Sequence, residues 1–462
     1  MHRAIRTVVV TIVVVSCAAS SARAQSVVDP NLRVQTWTKG FDNPTGLAFL
    51  GDSGDALVLE KNTGRVQLMR NRAIVGTALD LPVANASEQG LLGVALSPQF
   101  ATDNFVYLYY TASTQDGGQP FDNRVDRFKW NGSTLALDRH IVKTPSLPGP
   151  NHDGGKITFG RDNKLYVLTG DVNRNGRTAN FQNATELTRS AAILRLNPNG
   201  RPPPSNPFFN PANAGTANAP LNDIYAYGVR NGFGLDFDPI SGDLWDSENG
   251  PADWDEINRI RPGFNSGWED VMGPTFRTGE STGGLTVLGP AMYYSDPRFS
   301  WAAPVAPTDV HFLLNSKLGA EYKSDLFVGT FRGGGALLHF ELSPSRKTLA
   351  LDGPLADTVA DNTGSTFAEQ SAVLFGSGFG QVSDIITGPG GMYVLSLNGN
   401  LYRVSEIPVG GAMMTAAQLA EVSVVVPEPT ATLVLFSCAS VTWSLKRPRR
   451  RNPRRRSVRA AP

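Results

Sequence analysis

Apolar and polar residues alternate through most of the chain, with the period of two that half-buried antiparallel strands require. Leu165, Val167 and Thr169 fall on one face of such a strand, and their neighbours fall on the other. We find no long stretch of convincing helical periodicity in the body of the chain. The 47 glycines and 32 prolines favour the tight turns that join short strands. The pattern therefore predicts an all-β protein.

One strand unit recurs six times along the chain. Each copy has an alternating apolar strand, a Pro/Gly/Asp turn and a second apolar strand. The copies are residues 44–70, 90–110, 154–171, 230–248, 305–331 and 381–396. Most are followed by a third strand, at residues 124–130, 193–196, 257–260, 336–341 or 401–404.

Six sheet units in series predict a six-bladed β-propeller of four-stranded antiparallel blades, because radial repetition leaves only short exposed edges. A double sandwich is the alternative arrangement of the same strands. In a propeller, we expect residues 32–41 to supply a strand that closes the ring onto the last blade. The insert at residues 201–221, rich in Pro, Asn and Ala, is typical of a surface loop.

Residues 1–24 have the pattern of a secretory signal peptide. Arg3 and Arg6 give a positive start, residues 7–17 are apolar, and Ala22 and Ala24 place small residues before a cleavage point at Gln25. A buried N-terminal strand is the alternative. The apolar run is short for a membrane span.

Residues 426–462 carry a second targeting pattern. The segment 426–430 reads Val-Pro-Glu-Pro-Thr, an apolar run follows at residues 431–445, and a cluster of Lys and Arg begins at Lys446. An apolar run before a positive cluster is a stop-transfer pattern, with the basic end kept in the cytoplasm. The order resembles the PEP-CTERM sorting signal of bacterial exported proteins. That resemblance implies processing by a membrane protease, an exosortase, and a transient association with the membrane; a plain C-terminal anchor is the alternative.

These patterns divide the chain into a signal peptide (1–24), a propeller (25–410), a linker (411–425) and a sorting segment (426–462). They predict an exported protein of the cell envelope or the extracellular space. Both cysteines, Cys17 and Cys438, lie in the terminal segments. The predicted propeller therefore has no disulfide, no thiol nucleophile and no Cys-ligated zinc.

The net charge of +1 conceals an acidic body. Of the 42 Lys and Arg, nine lie in residues 446–462 and three in residues 1–24, and neither segment contains an acid. The remaining 30 basic residues therefore face all 41 acidic ones, which gives residues 25–445 a net charge of −11. An acidic surface repels polyanions, so a nucleic-acid partner is disfavoured.

Propellers carry functional residues on loops around one mouth of the central channel. His152, one of five histidines, precedes a predicted strand beside Gly154 and Gly155, which permit close backbone approach. A neutral imidazole there is suited to act as a general base near pH 7, and a solvated or capping histidine is the alternative. Arg230 and Asn231, at another strand start, are suited to clamp a carboxylate or quinone oxygen, or to form a structural salt bridge.

Two acidic loops are candidate calcium sites. Residues 247–256 hold four carboxylates, which repel one another unless a cation or hydrogen-bond donors compensate, and calcium takes carboxylate and carbonyl oxygens of this kind. A loop that holds no ion is the alternative. Residues 171–176 match half of an EF-hand-like loop, but Gln182 stands where such a loop requires Glu.

An ordered series of motifs resembles the glucose/sorbosone dehydrogenases over about residues 35–405. The matching segments are residues 88–95, 152–160, 170–171, 230–231, 248–258, 267–268, 301 and 305–308. The family includes the soluble PQQ-dependent glucose and aldose sugar dehydrogenases, which are six-bladed propellers.

The resemblance implies a role for each matched position. His152 falls on the catalytic histidine, which takes the proton from the anomeric hydroxyl while hydride passes to the quinone of PQQ. A calcium ion, held by carbonyls at the positions of Gly250 and Pro251, polarises that quinone as a Lewis acid. Arg230 and Asn231 fall on cofactor-contacting positions.

Two further groups of residues complete the candidate site. Arg332 falls where the family has a lysine that touches the cofactor, and the acidic loop adds Asp253 and Asp255 as candidate calcium ligands.

The chain departs from the family in two places. Asn151 stands where glucose dehydrogenases often have an Asp before the catalytic histidine, and Asn cannot stabilise an imidazolium by charge. Glu88, where some members have Gln, is expected to compensate. Gln381 and Ser383 stand where the sixth unit usually brings arginines. PQQ is a tricarboxylate, so losing two cationic partners weakens its binding.

The leading hypothesis is therefore an exported PQQ- and calcium-dependent dehydrogenase that oxidises the anomeric carbon of an aldose to a lactone. The sequence leaves the sugar and the electron acceptor unspecified. One alternative is a non-catalytic propeller that binds extracellular glycan or a protein partner. Another is a calcium-dependent hydrolase acting on lactones.

Overall fold

A computed structural model describes residues 25–361 and 368–408. Their strands form six sheets arranged as a six-bladed β-propeller, so the predicted fold class is confirmed and the double sandwich is excluded. The predicted signal peptide, linker and sorting segment lie outside the described residues and stay predictions.

The strands are numbered along the chain. Two N-terminal strands, β1 (Ser26–Val27) and β2 (Leu32–Lys39), precede the blades. Blade 1 contains β3 (Pro44–Phe49), β4 (Ala56–Glu60), β5 (Arg65–Arg70) and β6 (Ala73–Asp80). Blade 2 contains β7 (Leu91–Leu96), β8 (Phe105–Ala112), β9 (Asp122–Trp130) and β10 (Leu135–Thr144). Blade 3 contains β11 (Ile157–Phe159), β12 (Leu165–Thr169), β13 (Ala192–Leu196) and β14 (Ile224–Tyr227).

The second half of the ring follows the same order. Blade 4 contains β15 (Gly232–Phe237), β16 (Leu244–Glu248), β17 (Asp255–Ile260) and β18 (Phe299–Trp301). Blade 5 begins with β19 (Pro307–Phe312), β20 (Leu326–Thr330) and β21 (Leu337–Phe340). Two strands then return to these blades: β22 (Val359–Ala360) joins blade 4 and β23 (Leu374–Ser377) joins blade 5. Blade 6 contains β24 (Val382–Gly388), β25 (Gly391–Ser396) and β26 (Asn400–Glu406).

The helices are short and lie in the connections. Within the described residues, three are α-helical: α1 (Phe100–Asp103), α2 (Thr275–Thr278) and α3 (Ala368–Ala372). The same residues contain five single 3₁₀ turns, at Arg177–Ala179, Pro211–Asn213, Ala219–Asn222, Thr282–Gly284 and Gly353–Leu355.

The N-terminal strands complete the last two blades. β2 pairs antiparallel with β26 and becomes the outer strand of blade 6, as predicted for residues 32–41. β1 pairs with β23 at the edge of blade 5, and β22 pairs parallel with β18, so blades 5 and 4 each gain a fifth short strand. The first strand of each blade contacts the first strand of the next, and β24 contacts β3 to close the ring.

The core consists of six apolar clusters, one between each pair of neighbouring blades. Strand β12 shows how the alternation produces them. Leu165 and Val167 belong to the cluster shared with blade 2, whereas Tyr166 and Leu168 belong to the cluster shared with blade 4. A strand with both faces buried in this way is held by the ring as a whole, because each face needs a neighbouring blade.

An ion cluster joins blades 3, 5 and 6 at the channel. The ammonium of Lys156 lies 2.8 Å from Asp309 Oδ1 and 2.6 Å from Asp384 Oδ1. The other oxygens of the two carboxylates accept backbone N–H groups, Asp309 from Ile385 at 2.7 Å and Asp384 from Leu47 of blade 1 at 2.7 Å. The two carboxylates raise the pKa of Lys156 against the effect of its burial, so the ammonium stays charged.

The described residues contain no helix of the length and apolarity that crossing a bilayer requires.

Substituting Lys156→Met should lower the free energy of unfolding at pH 7 by about 3–5 kcal/mol, because it leaves two buried carboxylates without their cation. The loss should shrink as the pH falls, because burial raises the pKa of Asp309 well above its ordinary value and its protonation removes one of the two charges. Urea unfolding measures both effects. Lys323→Met is the matched control, since Lys323 is exposed and has no ion pair within the described residues. Equal losses in the two variants would contradict a structural role for the cluster.

Candidate active site

A cavity of about 520 Å³ opens where the inner strands of the blades begin. Its walls come from loops that enter first strands and from loops that follow second strands, so every blade contributes. The lining residues are Thr45, Lys61, Ser87, Glu88, Leu92, His152, Gly154, Lys156, Arg230, Asn231, Phe233, Asn249, Ala306, Thr308, Phe331, Val382, Ser383 and Leu397. Four residues singled out from the sequence, Glu88, His152, Arg230 and Asn231, therefore share one cavity.

Strained backbone aims His152 at the cavity. His152 has a φ of +64°, in the left-handed region, and Gly154 follows with a φ of +68°. A Cβ on Gly154 would lie 2.7 Å from the carbonyl oxygen of Leu168, so the loop is pressed against β12. This close approach requires glycine and brings the imidazole beside the end of that strand.

The His152 ring is held by a buried carboxylate. Its Nδ1 lies 2.7 Å from Asp171 Oδ1, and the exposed fractions of the two side chains are 12% and 4%. Asp171 Oδ2 accepts the indole N–H of Trp268 at 2.7 Å, and Oδ1 also accepts the backbone N–H of Asn173. In this arrangement Nδ1 carries the proton and Nε2, which has no protein partner in the described part of the chain, is free to accept one.

Sequence reasoning missed Asp171 as this partner. The sequence placed Asp171 in an EF-hand-like loop and in the 170–171 segment that resembles the family, but assigned it no role. The structure commits its carboxylate to His152, Trp268 and Asn173. Asn151, singled out beside His152, accepts the Ser87 hydroxyl at 2.5 Å and does not line the cavity. The Gly-Asp pair at the end of a second strand was the available signal.

Glu88 connects the loops of three blades. Its Oε2 accepts the backbone N–H of His152 at 2.5 Å and the side-chain N–H of Asn231 at 3.1 Å. Glu88 thus lies near the histidine, as expected, but it contacts the backbone of His152 and leaves the ring to Asp171. Its carboxylate sets the positions of His152 and Asn231 relative to each other.

Arg230 keeps unused hydrogen-bonding capacity beside the cavity. Its Nη1 donates to the carbonyl oxygens of Asn249 (2.8 Å) and Gly250 (3.0 Å), but its buried Nε has no partner. The buried Oδ1 of Asn231 is also unpartnered. Burial lowers the pKa of Arg230. A half-buried guanidinium with a free N–H, in a site that holds other donors, is suited to receive an anionic or carbonyl-bearing guest.

The predicted calcium ligands are not gathered into one cluster. Asp255 is a backbone clamp, because Oδ1 accepts the N–H of Gly250 at 3.0 Å and Oδ2 accepts those of Val305 and Ala306 at 2.7 Å. Asp253 and Pro251 are exposed. Within residues 25–361 and 368–408, no three His, Cys, Asp or Glu side chains are grouped as a metal site. Carbonyl oxygens, such as that of Gly250, are the donors that remain.

The other two carboxylates of the acidic loop point into blade 4. Glu248 accepts the backbone N–H of Arg230 at 3.0 Å, and Glu256 accepts that of Gly273 at 2.6 Å. Burial raises the pKa of both Glu248 and Glu256, so each carboxylate is more easily protonated than an exposed one.

Arg332 lies outside the cavity. It is exposed, and its Nη1 donates to the carbonyl of Pro304 at 3.3 Å, while its neighbour Phe331 lines the cavity.

Of the two lysines that line the cavity, Lys156 is already paired with Asp309 and Asp384, whereas Lys61 has no carboxylate partner within the described residues. Ser383 donates to the carbonyl of Pro44, and Gln381 is exposed, so neither brings charge. Lys156 lines the same cavity as Ser383. Lys61 lines it from blade 1, and its ammonium contacts only the neutral oxygens of Asn62 (3.1 Å) and Asn85 (3.3 Å). Sequence reasoning missed both lysines.

Comparisons with known proteins show the family to which the chain is similar. A family model described as Glucose / Sorbosone dehydrogenase matches residues 41–403. The chain is 26% identical over 383 residues to the aldose sugar dehydrogenase YliI of Escherichia coli, covering 81% of this chain and 93% of that protein. It is 30% identical over 283 residues to quinoprotein glucose dehydrogenase B of Acinetobacter calcoaceticus, covering 55% of this chain and 57% of that protein.

A solved structure is similar as well. The PQQ-bound aldose sugar dehydrogenase of Streptomyces coelicolor is 25% identical, with a TM-score of 0.57 and coverage of 83% of this chain and 99% of that chain. The family match takes in the inner strands of all six blades and the whole lining of the cavity. The chain therefore belongs to the glucose/sorbosone dehydrogenase family.

Proposed function

We propose that the protein is an exported sugar dehydrogenase that oxidises the anomeric carbon of an aldose to a lactone, using PQQ and calcium, with His152 as the general base. The observation that supports this most is the His152–Asp171 pair, which presents Nε2 to the same cavity as Arg230 and Asn231. A purely structural histidine has no need of a free ring nitrogen facing a polar cavity.

Oxidation of a hemiacetal C–H and O–H to a lactone removes a proton from oxygen and a hydride from carbon. His152 Nε2 takes the proton, and the Asp171 carboxylate at Nδ1 stabilises the imidazolium that results. Glu88 holds the His152 backbone in place during the transfer. Trp268 occupies the remaining oxygen of Asp171, so the carboxylate cannot turn away from the ring.

The cavity fits the quinone cofactor by charge and shape. PQQ, when bound, supplies the quinone that accepts the hydride. Arg230 and Asn231, each with an unpartnered buried polar atom, would hold it with help from the ammonium of Lys61. Phe233 and Phe331 give the walls the apolar surface that a flat ring system needs. The PQQ-bound relative from Streptomyces coelicolor supports the same assignment.

Calcium binding would depend on backbone carbonyl groups. The carbonyl oxygens of Gly250 and Pro251 would be its protein ligands, and it would act as a Lewis acid toward the bound quinone. Asp255 keeps this loop in shape through the N–H of Gly250. Arg230 Nη1 donates to Gly250 O, so the carbonyl that would bind the ion also contacts the guanidinium.

A non-catalytic propeller that binds extracellular glycan or a protein is the second candidate. The absence of arginine at Gln381 and Ser383 favours it, because the walls near blade 6 then give a tricarboxylate less charge. The proposed dehydrogenase would also pass electrons to an acceptor outside the chain. We propose in addition that an exosortase processes residues 426–462.

Titrating the purified protein with PQQ and calcium should produce a 1:1 absorbance change and aldose-dependent dye reduction. A chelator should abolish the activity, and added calcium should restore it. His152→Gln should bind PQQ normally but lower kcat about 10²–10⁴-fold, the range of a lost general base. His140→Gln is the matched control, because His140 pairs with Asp126 at 2.8 Å on an outer strand and does not line the cavity. A site that binds PQQ but oxidises no aldose would favour the non-catalytic candidate.

Arg230→Gln should weaken PQQ binding about 10–100-fold, since a charge-assisted hydrogen bond from a half-buried guanidinium is lost. Arg332→Gln should change it less than threefold, because that side chain is exposed and points at Pro304. Fluorescence titration of both variants measures the difference. A larger effect of the Arg332 substitution would indicate that this side chain contacts the cofactor.

A further inference from the structure

Trp268 contacts both Asp171, which holds the His152 ring, and Arg230, but it does not line the cavity. Its indole N–H donates to Asp171 Oδ2 at 2.7 Å, and its ring lies under the guanidinium of Arg230, 5.1 Å from centroid to Cζ. We propose that Trp268 is a positioning residue that sets the proton affinity of His152 through Asp171 and holds Arg230 against the cavity wall. The first half of this inference rests on the proposed role of His152 as a base.

The backbone of Trp268 is tied down on two sides. Its N–H donates to the carbonyl of Gly228 at 3.0 Å, and its own carbonyl accepts the side-chain N–H of Asn180 at 2.8 Å. A Cβ on Gly228 would lie 2.2 Å from Asn265 Oδ1, so the strand end that carries Arg230 is packed directly on this loop. Because its backbone is already fixed, the Trp268 side chain loses little conformational entropy when it contacts Asp171 and Arg230.

The indole N–H affects the base through one atom. A donor on Asp171 Oδ2 draws negative charge away from Oδ1, which faces the imidazole, so the imidazolium is stabilised less than it would be by an unbonded carboxylate. The other charged groups near this pair are Glu88 at the His152 backbone, Arg230, and the exposed Glu269 close to Asp171. The buried Asp153 follows His152 in the chain, and Lys61 interacts with both Asp153 and Glu88. A change confined to the indole leaves all of these groups in place.

The ring has a separate function. A guanidinium over an aromatic face is attracted to its negative π surface, and the attraction grows when both groups are shielded from water. Arg230 has no carboxylate within hydrogen-bonding distance of its guanidinium in the described chain, so Trp268 and the two carbonyls at Nη1 are what hold it.

Trp268→Phe separates the two functions, because it keeps an aromatic face and removes the N–H. We expect PQQ affinity within about threefold of the parent, an unchanged KM for sugar, and a kcat lowered about three- to tenfold. The acid limb of the kcat/KM profile should move to higher pH by about half a unit, because Asp171 then carries more charge toward the ring. Trp268→Leu removes the ring as well and should also weaken PQQ binding about tenfold.

Trp245→Phe is the matched control. Trp245 is fully buried in blade 4, and its indole N–H has no partner, so this variant loses the same atoms without losing a hydrogen bond. Trp245→Phe should leave the pH profile of kcat/KM unchanged even if it lowers the free energy of unfolding. A profile that shifts equally in both variants, or in neither, would overturn the positioning role.

NMR of the cofactor-free protein tests the inference without any activity. The Cε1–H resonance of His152, assigned by its loss in His152→Gln, should titrate at higher pH in Trp268→Phe than in the parent. If Trp268→Phe does not fold, the parent provides the test, since one indole N–H resonance should move with the His152 titration and stay still in His152→Gln. Coupling seen by NMR without aldose oxidation would keep this inference and reject the proposed function. Absence of this coupling in an active enzyme would reject the inference about Trp268 and keep the proposed function.

Discussion

Each sheet of this ring is apolar on both faces, and neither face is covered unless a blade lies on each side of it. Strand β12 alternates between two clusters for that reason, and every other blade interface has a cluster of its own. The structure therefore depends on closure, because an open row of blades would expose the faces at its two ends. Lys156, with Asp309 and Asp384, adds a polar contact across the channel that only a closed ring can form.

Closure of the ring brings loops from all six blades to the cavity, and carboxylates then fix these loops against one another. Glu88, Asp171 and Asp255 each accept donors from parts of the chain far apart in sequence, and each thereby fixes one loop against another. Most of these donors are backbone or indole N–H groups, which carry no charge. The acidic residues at the mouth thus act largely as clamps, and Arg230 and Lys61 remain to set the charge that a guest meets.

The fold was largely predictable because its signals are local: strand alternation and a recurring unit need only neighbouring residues. The same holds for His152 and Arg230, which stand at strand starts and therefore meet at one mouth. The contact of Trp268 with the carboxylate that holds His152 was not predictable in this way, since the Asp171–Trp268 bond joins residues 97 positions apart. The backbone contacts of Asp255 were not predictable for another reason, because the backbone N–H groups that it accepts are present in every sequence and leave no pattern.

The pairing of β2 with β26 joins the first long strand of the ring to the last. A ribosome or a translocation pore delivers β2 hundreds of residues before its partner exists, so blade 6 is completed only after the rest of the chain has emerged. Contacts of such sequence separation slow folding, and until they form the edge of β26 is open to other chains. A chain shortened from the N-terminus into β2 would therefore be prone to associate through blade 6 even though its cavity residues are all present.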